Sequence, residues 1–479
     1  MKYTYLFFFC LGTALATILI INPSFTTSDP DTSDPYPPQP MPDRIILSWS
    51  DDPATTQSVT WRTDVSVKDA FAEIAPADPS PDFPAKATKV EAATELLVTN
   101  NNAAHFHSAT FTGLQPETMY AYRVGSDGNW SEWFHFETAA AREKPFTFLY
   151  FGDAQNDIKS MWSRCIRQAY STMPDVDFLL HAGDLINRAN RDEEWGEWFY
   201  AGGWIYGMKP NIATPGNHEY GKDEQGKRVL SALWRPTFTL PLNGPEGLEE
   251  TVYYTDYQGT RFISLNTQAM YADTATIQPQ IEWLERVLED NPNRWSIVTH
   301  HHPVYSTAKG RDNEEVREAF QPLYEKYGVD LVLQGHDHSY GRGYNLQHGS
   351  SRKDKGPIYV VSVSGPKMYN LNFEEWMERV ASNTQLYQII RVDGDYLLYE
   401  AYTATGTLYD AFELHKRENC SNRFVDKAPK EVPEIISIPE RLQEKMSETE
   451  IEEYRQRFQE YKSRSKSRKK LEVEGLMVD

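Results

Sequence analysis

Five short polar motifs carry residue types that bind metal ions: GDAQ (Gly152–Gln155), GDLIN (Gly183–Asn187), GNHE (Gly216–Glu219), HHHP (His300–Pro303) and GHDH (Gly335–His338). Carboxylate, imidazole and an Asn carbonyl are the donor set of borderline first-row metals such as Zn, Fe and Mn. With a bridging carboxylate, two such ions sit about 3.5–4 Å apart, where they bind a phosphoryl group, acidify a bridging water and stabilise the leaving oxygen. Singly, most of these motifs mean little. A lone Gly-Asp is usually a turn, an isolated Asn217 a turn or cap, and a His run a piece of surface. Asp337, between two histidines, reads as an outer or solvated group. GHDH says more, because packing poorly explains two histidines at i and i+2 beside a strand end. The joint occurrence, in order and each behind an apolar run, points to two-metal phosphoester chemistry.

Positioning these groups falls to the apolar runs: FTFLYFGD, DFLLHAGD, NIATPGNH, RFISLNTQ, WSIVTHHH, DLVLQGHD and IYVVSVSG. Helical patterns lie between several of them. Ile281, Leu284 and Leu288 repeat at helical spacing, as do Val316, Phe320 and Leu323, with Gly328 as a C-cap. Alternating strands and helices predict a layered α/β domain over residues 144–416. In such sheets the strand carboxyl ends share one edge, so residues spread over nearly two hundred positions can converge there. An Asp-Gly turn closes the domain with hairpin strands. Glycines ahead of the ligands allow close backbone approach.

Before this domain, RIILSWS, SVTWRTD, HSATFTGL, MYAYRVGS and EWFHFETA are short, turn-separated runs. They predict an all-β sandwich over 43–139, with no catalytic cluster. Residues 22–42 are rich in Pro, Ser, Thr and Asp and read as an extended linker. Residues 1–21 combine Lys2, an apolar run and Ala14-x-Ala16, a signal peptide or an uncleaved membrane anchor. Either one places the body outside the cytoplasm: secreted, periplasmic or on the cell surface. Residues 417–479 read as a charged, mostly solvated helical extension. The formal charge of −21 argues against nucleic-acid scaffolds and anionic membranes as partners, leaving the N-terminal anchor as the route to a membrane. It does not exclude a small phosphorylated substrate, since a bound metal pair reverses the local field. Three cysteines exclude a Cys-based zinc site, and Cys165 and Cys420 can pair only if the fold brings them together.

The five motifs resemble the calcineurin-like metallophosphoesterase superfamily, and within it the purple acid phosphatases. PDRIILSWSDDPATTQSVTWRTD and GLQPETMYAYRVGS are similar to the fibronectin type III-like domain that precedes their catalytic domain. The resemblance spans about Asp43 to Lys416. It implies an α/β sandwich of two mixed sheets flanked by helices, behind an all-β fibronectin-like sandwich. It also implies two divalent or mixed-valence ions (Fe, Zn or Mn). Asp153 and His338 would bind the first ion, Asp184 both, and Asn217, His301 and His336 the second. His301, rather than His300 or His302, stands two residues before Pro303, where the family pattern has its ligand. His218 would orient phosphate or protonate the leaving oxygen.

Two departures from the family stand out. Purple acid phosphatases have a ferric-binding Tyr three residues after the bridging Asp; here that residue is Asn187. A colourless enzyme follows. Where the family has D-x-H or D-x-G, Gln155 stands, an added candidate ligand through its side-chain oxygen. The family's substrate-gripping histidines downstream of the fourth motif are missing. His302 and Arg188 are the chosen substitutes, beside Asn217 and His218, with Arg191, Arg311 and Arg342 also in range. The expected activity is hydrolysis of phosphate monoesters by attack of metal-bound hydroxide. A phosphodiesterase or nucleotide hydrolase is the alternative, and a non-enzymatic adhesion protein a distant third.

Overall fold

Period-2 alternation in the N-terminal runs folds into two antiparallel sheets. The computed structural model describes residues 34–344, 356–417 and 420–473. Strands Asp43–Ser48, Gln57–Asp64, Ala103–Phe111 and Ala93–Val98 form one sheet. Thr88–Glu91, Phe71–Pro76, Met119–Ser126 and Asn129–Trp130 form the other, with Phe134–Glu137 also on Met119–Ser126. Trp61, Phe111, Tyr122 and Phe136 fill the space between them. The signal or anchor segment lies outside the described residues. Among the described residues no helix is long and apolar enough to cross a membrane.

His107, in this core, bonds Thr63 Oγ1 at 2.8 Å and Thr94 Oγ1 at 2.9 Å. Burial, with His105 beside it, lowers its pKa to about 4; burial lowers His181 of the next domain to about 4 as well. Both then stay neutral in the native state while the unfolded chain takes protons below about pH 6.5. Each therefore lowers stability as pH falls through that window, by about 1.4 kcal/mol per pH unit. The urea midpoint is expected to drop from pH 7 to pH 5, and to drop less in His107→Gln. An equal drop in that variant would show that His107 titrates normally.

The second domain is two sheets face to face. In the first, Asn211–Ala213, Phe178–His181 and Phe146–Phe151 are parallel neighbours. Antiparallel strands Leu386–Asp393, Tyr396–Thr403, Leu408–Arg417 and Cys420–Asp426 extend it. In the second, Thr260–Ser264, Trp295–His300, Leu331–Gln334 and Ile358–Val361 run parallel, Tyr253–Tyr257 and Tyr340–Tyr344 pair antiparallel on either side, and Met377–Ala381 pairs antiparallel with Tyr340–Tyr344 at the edge. Between the sheets Phe148 stacks on Phe178 at 5.0 Å and both meet Phe262 edge-on. Strand alternation sends Ile297, Leu331 and Leu333 into this layer. Val298 and Val332 face the other way, among Leu284, Leu288, Val316, Phe320 and Leu323 of helices Ile277–Glu289 and Glu314–Tyr327. Gly328 ends the second helix at φ +66°. Cys165 is a buried free thiol.

Two boundaries move. Residues 22–33 lie outside the described residues, but the stretch to 42 is not a free linker from Tyr36 onward. The Tyr36 ring lies against Gly196, its carbonyl accepts from Arg62, and Gln39 O accepts the Asp64 N–H. Nor is 417–479 a separate solvated extension. Cys420–Asp426 is the edge strand of the first sheet, since the charged run still pairs its backbone. Helix Glu448–Val473 buries Tyr454, Phe458 and Tyr461 against Phe373. Those aromatics share one helical stripe (i, i+4, i+7), and an apolar stripe docks even in a highly charged helix.

Candidate dinuclear metal site

All five motifs lie at strand carboxyl ends: after Phe151, His181 and Ala213 in the first sheet and after His300 and Gln334 in the second. An isolated parallel bridge between Asp153 and Val363 joins the two sheets there. The backbone is strained at this edge. Asp184, His336 and His338 have φ of +52°, +75° and +46°, left-handed values that cost non-glycine residues of order 1–3 kcal/mol each. The glycines are required by space. A Cβ on Gly216 would lie 2.2 Å from Asp184 Oδ1, and one on Gly183 2.7 Å from Gly216 N.

His301 donates from Nδ1 to Ala182 O at 2.9 Å, which fixes its tautomer and leaves a lone pair on Nε2. That Nε2 faces Asp184 Oδ2, Asn217 Oδ1 and His336 Nδ1, each at 3.2 Å. His338 donates from Nδ1 to Lys367 O at 3.1 Å. Its Nε2 lies 3.3 Å from Asp153 Oδ2 and 3.0 Å from the Gln155 amide. The same amide is 2.8 Å from Asp184 Oδ2. Asp153 Oδ2 and Gln155 Oε1 are buried without hydrogen-bond partners. Asp184, His301 and His336 form one potential donor set, and Asp153, Asp184 and His338 another.

Electrostatics agree with the geometry. Burial, with the Asp184 charge, pushes Asp153 up to about 7. Burial works against the Asp184 carboxylate too, but His301 and His218 hold it well below the usual carboxylate range. Burial opposes charge on His301, yet Asp184 and Asp153 raise it to about 9. Burial lowers His336 and His338 well below the ordinary value. Electron-pair donors crowded this closely repel one another unless a proton or a metal cation lies among them. The residues fit two metal ions with Asp184 common to both.

The other candidates separate. His300 turns away, with Nδ1 on His302 O and its ring stacked on Tyr324. His302 lies beside the cluster, its ring 4.2 Å from that of His336, with Nδ1 on Thr267 Oγ1. His218 donates from Nδ1 to Asn187 O at 2.6 Å, and its Nε2 is 3.9 Å from Asp184 Oδ2. Asn187 accepts from Asn156 through its side chain. Glu194 accepts the Asn187 and Arg188 N–H groups, and the Arg188 side chain, 64% exposed, stays beside Glu194. Arg191 pairs with Glu193, and Arg342 is buried on Asp410.

Glu219 was missed as a functional group. Fully buried, it accepts N–H bonds from Gly216 (2.6 Å), Asp184 (2.8 Å) and Leu185 (2.7 Å), tying the second and third motifs together. Burial and the Asp184 charge raise it to about 7. An acid directly after Asn-His was the available signal. Asp337 is not solvated: it is buried and accepts N–H bonds from Thr307 and Ala308.

Comparison with known proteins gives the same picture. Residues 42–138 match the purple acid phosphatase N-terminal domain, and residues 146–340 match the calcineurin-like phosphoesterase family. Human acid phosphatase type 7 is 27% identical over 362 residues, covering 68% of this chain and 78% of the relative. The Fe(3+)-Zn(2+) purple acid phosphatase 12 of Arabidopsis thaliana is 27% identical over 298 residues, 56% of this chain and 60% of its own. A purple acid phosphatase structure from yellow lupin (Lupinus luteus) seeds superposes with a TM-score of 0.66 at 21% identity, over 80% of this chain and 76% of that one.

Proposed function

Because the chain belongs to the calcineurin-like phosphoesterases with a purple acid phosphatase N-terminal domain, and so is a metal-dependent phosphatase, we propose that it hydrolyses phosphate monoesters at a dinuclear centre outside the cytoplasm. The observation that carries this is Asp184, shared by two buried donor sets. Asp153, Gln155 and His338 would hold one ion, and Asn217, His301 and His336 the other. When bound, the pair supplies Lewis acidity toward phosphoryl oxygens and an acidified water.

The chain's own groups do the rest. His218, oriented by Asn187 O, turns Nε2 toward the cluster and can deliver a proton to the leaving oxygen. Asn217 reaches the cluster through Oδ1, and His302 closes the side next to His336. Glu219 holds the Asp184 and Asn217 loops in register. With Asn187 bonded to Asn156 where the purple acid phosphatase pattern has a ferric-binding Tyr, no tyrosinate colour is expected. The apolar N-terminal run supports export.

Protein purified without added metal is expected to contain about two first-row ions per chain, show no strong visible band, and turn over an aryl phosphate faster than the bis-aryl diester. An intense charge-transfer band would refute the Asn187 reading. Equal or faster diester turnover would replace the monoesterase by a diesterase.

A further inference from the structure

The segment after strand Ile358–Val361 lies against the cluster. Ser364 N–H bonds Asp153 O at 3.1 Å, Lys367 O accepts from His338, and Tyr369 N–H bonds His338 O at 3.1 Å. The Tyr369 ring lies 4.8 Å from that of His338. Two cations rest over Tyr369: the Arg311 guanidinium at 4.7 Å and the Lys367 ammonium at 5.5 Å from its centroid. Arg311 also donates to His336 O at 3.0 Å and reaches Asp337 at 3.4 Å. The Lys367 ammonium forms no direct ion pair among the described residues, though it acts electrostatically on the buried Asp153 carboxylate and on His338, in a chain with 69 acidic and 48 basic residues. With Asp153 committed to a metal ion, that cation is available to an incoming anion.

The loop is braced from behind by the C-terminal extension. Arg441 donates to Met368 O at 2.8 Å, Asn370 Nδ2 meets Met446 Sδ at 3.2 Å, and Arg457 bonds the Asn372 side chain at 3.0 Å. The loop that carries Lys367 and Tyr369 is therefore held in place, which lowers the ordering cost of gripping a ligand.

We propose that Arg311 and Lys367, carried over Tyr369 beside His336 and His338 respectively, form the clamp that selects a doubly charged phosphoryl group over the singly charged phosphoryl of a diester. This deepens the phosphatase reading and rests on it. Each cation flanks one donor set, so the two together reach oxygens of a phosphoryl group lying across both. Arg offers paired donors and Lys a point charge. These side chains stand in for the substrate-gripping histidines missing downstream of the fourth motif.

Lys367→Met is the main test, because Arg311 also holds backbone and its loss could shift the loop. On metal-loaded, full-length protein, kcat/KM for an aryl phosphate is expected to fall about 10–100-fold, mostly through KM, as for a lost charge-assisted contact. Inhibition by inorganic phosphate should weaken by a similar factor, the diester should suffer a smaller loss, and Lys367→Arg should recover most of the monoester rate. Metal content should match the wild type. Equal losses on both esters, or unchanged phosphate inhibition, would overturn the clamp. If the wild type cleaves neither ester, the phosphatase reading fails. Calorimetric binding of inorganic phosphate to wild type and Lys367→Met then decides the clamp by itself, with equal affinities refuting it.

Discussion

Asp184→Asn is expected to lower kcat on an aryl phosphate by about a thousandfold or more while the protein still folds, the scale of loss when a unit of the catalytic constellation is removed. The change keeps the shape of the side chain but removes its charge. Asp184 Oδ2 faces both His301 Nε2 and the Gln155 amide, so the loss reaches both donor sets at once. Folding is spared because Asn keeps the Oδ1 that accepts the His218 N–H at 2.8 Å, and backbone bonds hold the rest of the loop. The Asp184 and Leu185 N–H groups are fixed by Glu219, and Asp184 O accepts from Ala154 and Gln155 N–H. Elemental analysis should show metal lost alongside activity, with a melting curve close to wild type. Near-normal turnover with full metal content would refute the bridging role.

That division between the side chain that acts and the backbone that is held also explains what could be read from the sequence. Asp153, Asp184, Asn217, His301, His336 and His338 were legible because each follows a run apolar enough to be a strand, and strand ends share an edge. Helices Ile277–Glu289 and Glu314–Tyr327 were legible from their 3.6-residue stripes. Glu219 was hidden because its role depends on N–H groups from two loops more than thirty residues apart in sequence. Arg188 was named for its nearness to Asp184 in sequence. The chain turns at Asn187, where Glu194 captures two N–H groups and leaves the Arg188 side chain outside. Lys367 lies in no motif, and only the fold brings its segment to Asp153 and His338. The Tyr454, Phe458 and Tyr461 stripe was masked by the charges around it.

Asp192→Ala is expected to cost about 3–5 kcal/mol of stability, the usual effect of removing one partner from a buried ionic network. Asp192 is fully buried at the start of helix Asp192–Gly202. Its carboxylate accepts from Arg44 at 2.7 and 2.8 Å and from Arg62 at 3.2 Å, both on the N-terminal sandwich. Burial, with Arg62 nearby, already lowers Arg44 below the ordinary arginine value, so stranding it without Asp192 is costly. Arg62 keeps Asp43 and Tyr36 O, which makes Arg44 the more exposed to the loss. The consequence extends past docking. Two residues along the same helix turn, Glu194 holds the Asn187 N–H, and Asn187 O orients His218. The sandwich thereby fixes the helix that seats His218. A lower thermal midpoint should accompany a reduced kcat measured well below that midpoint, with metal content intact. Asp192→Asn, which keeps the acceptor oxygen, should recover part of both. A lower midpoint with unchanged kcat would confine the network to joining the domains and leave His218 independent of it.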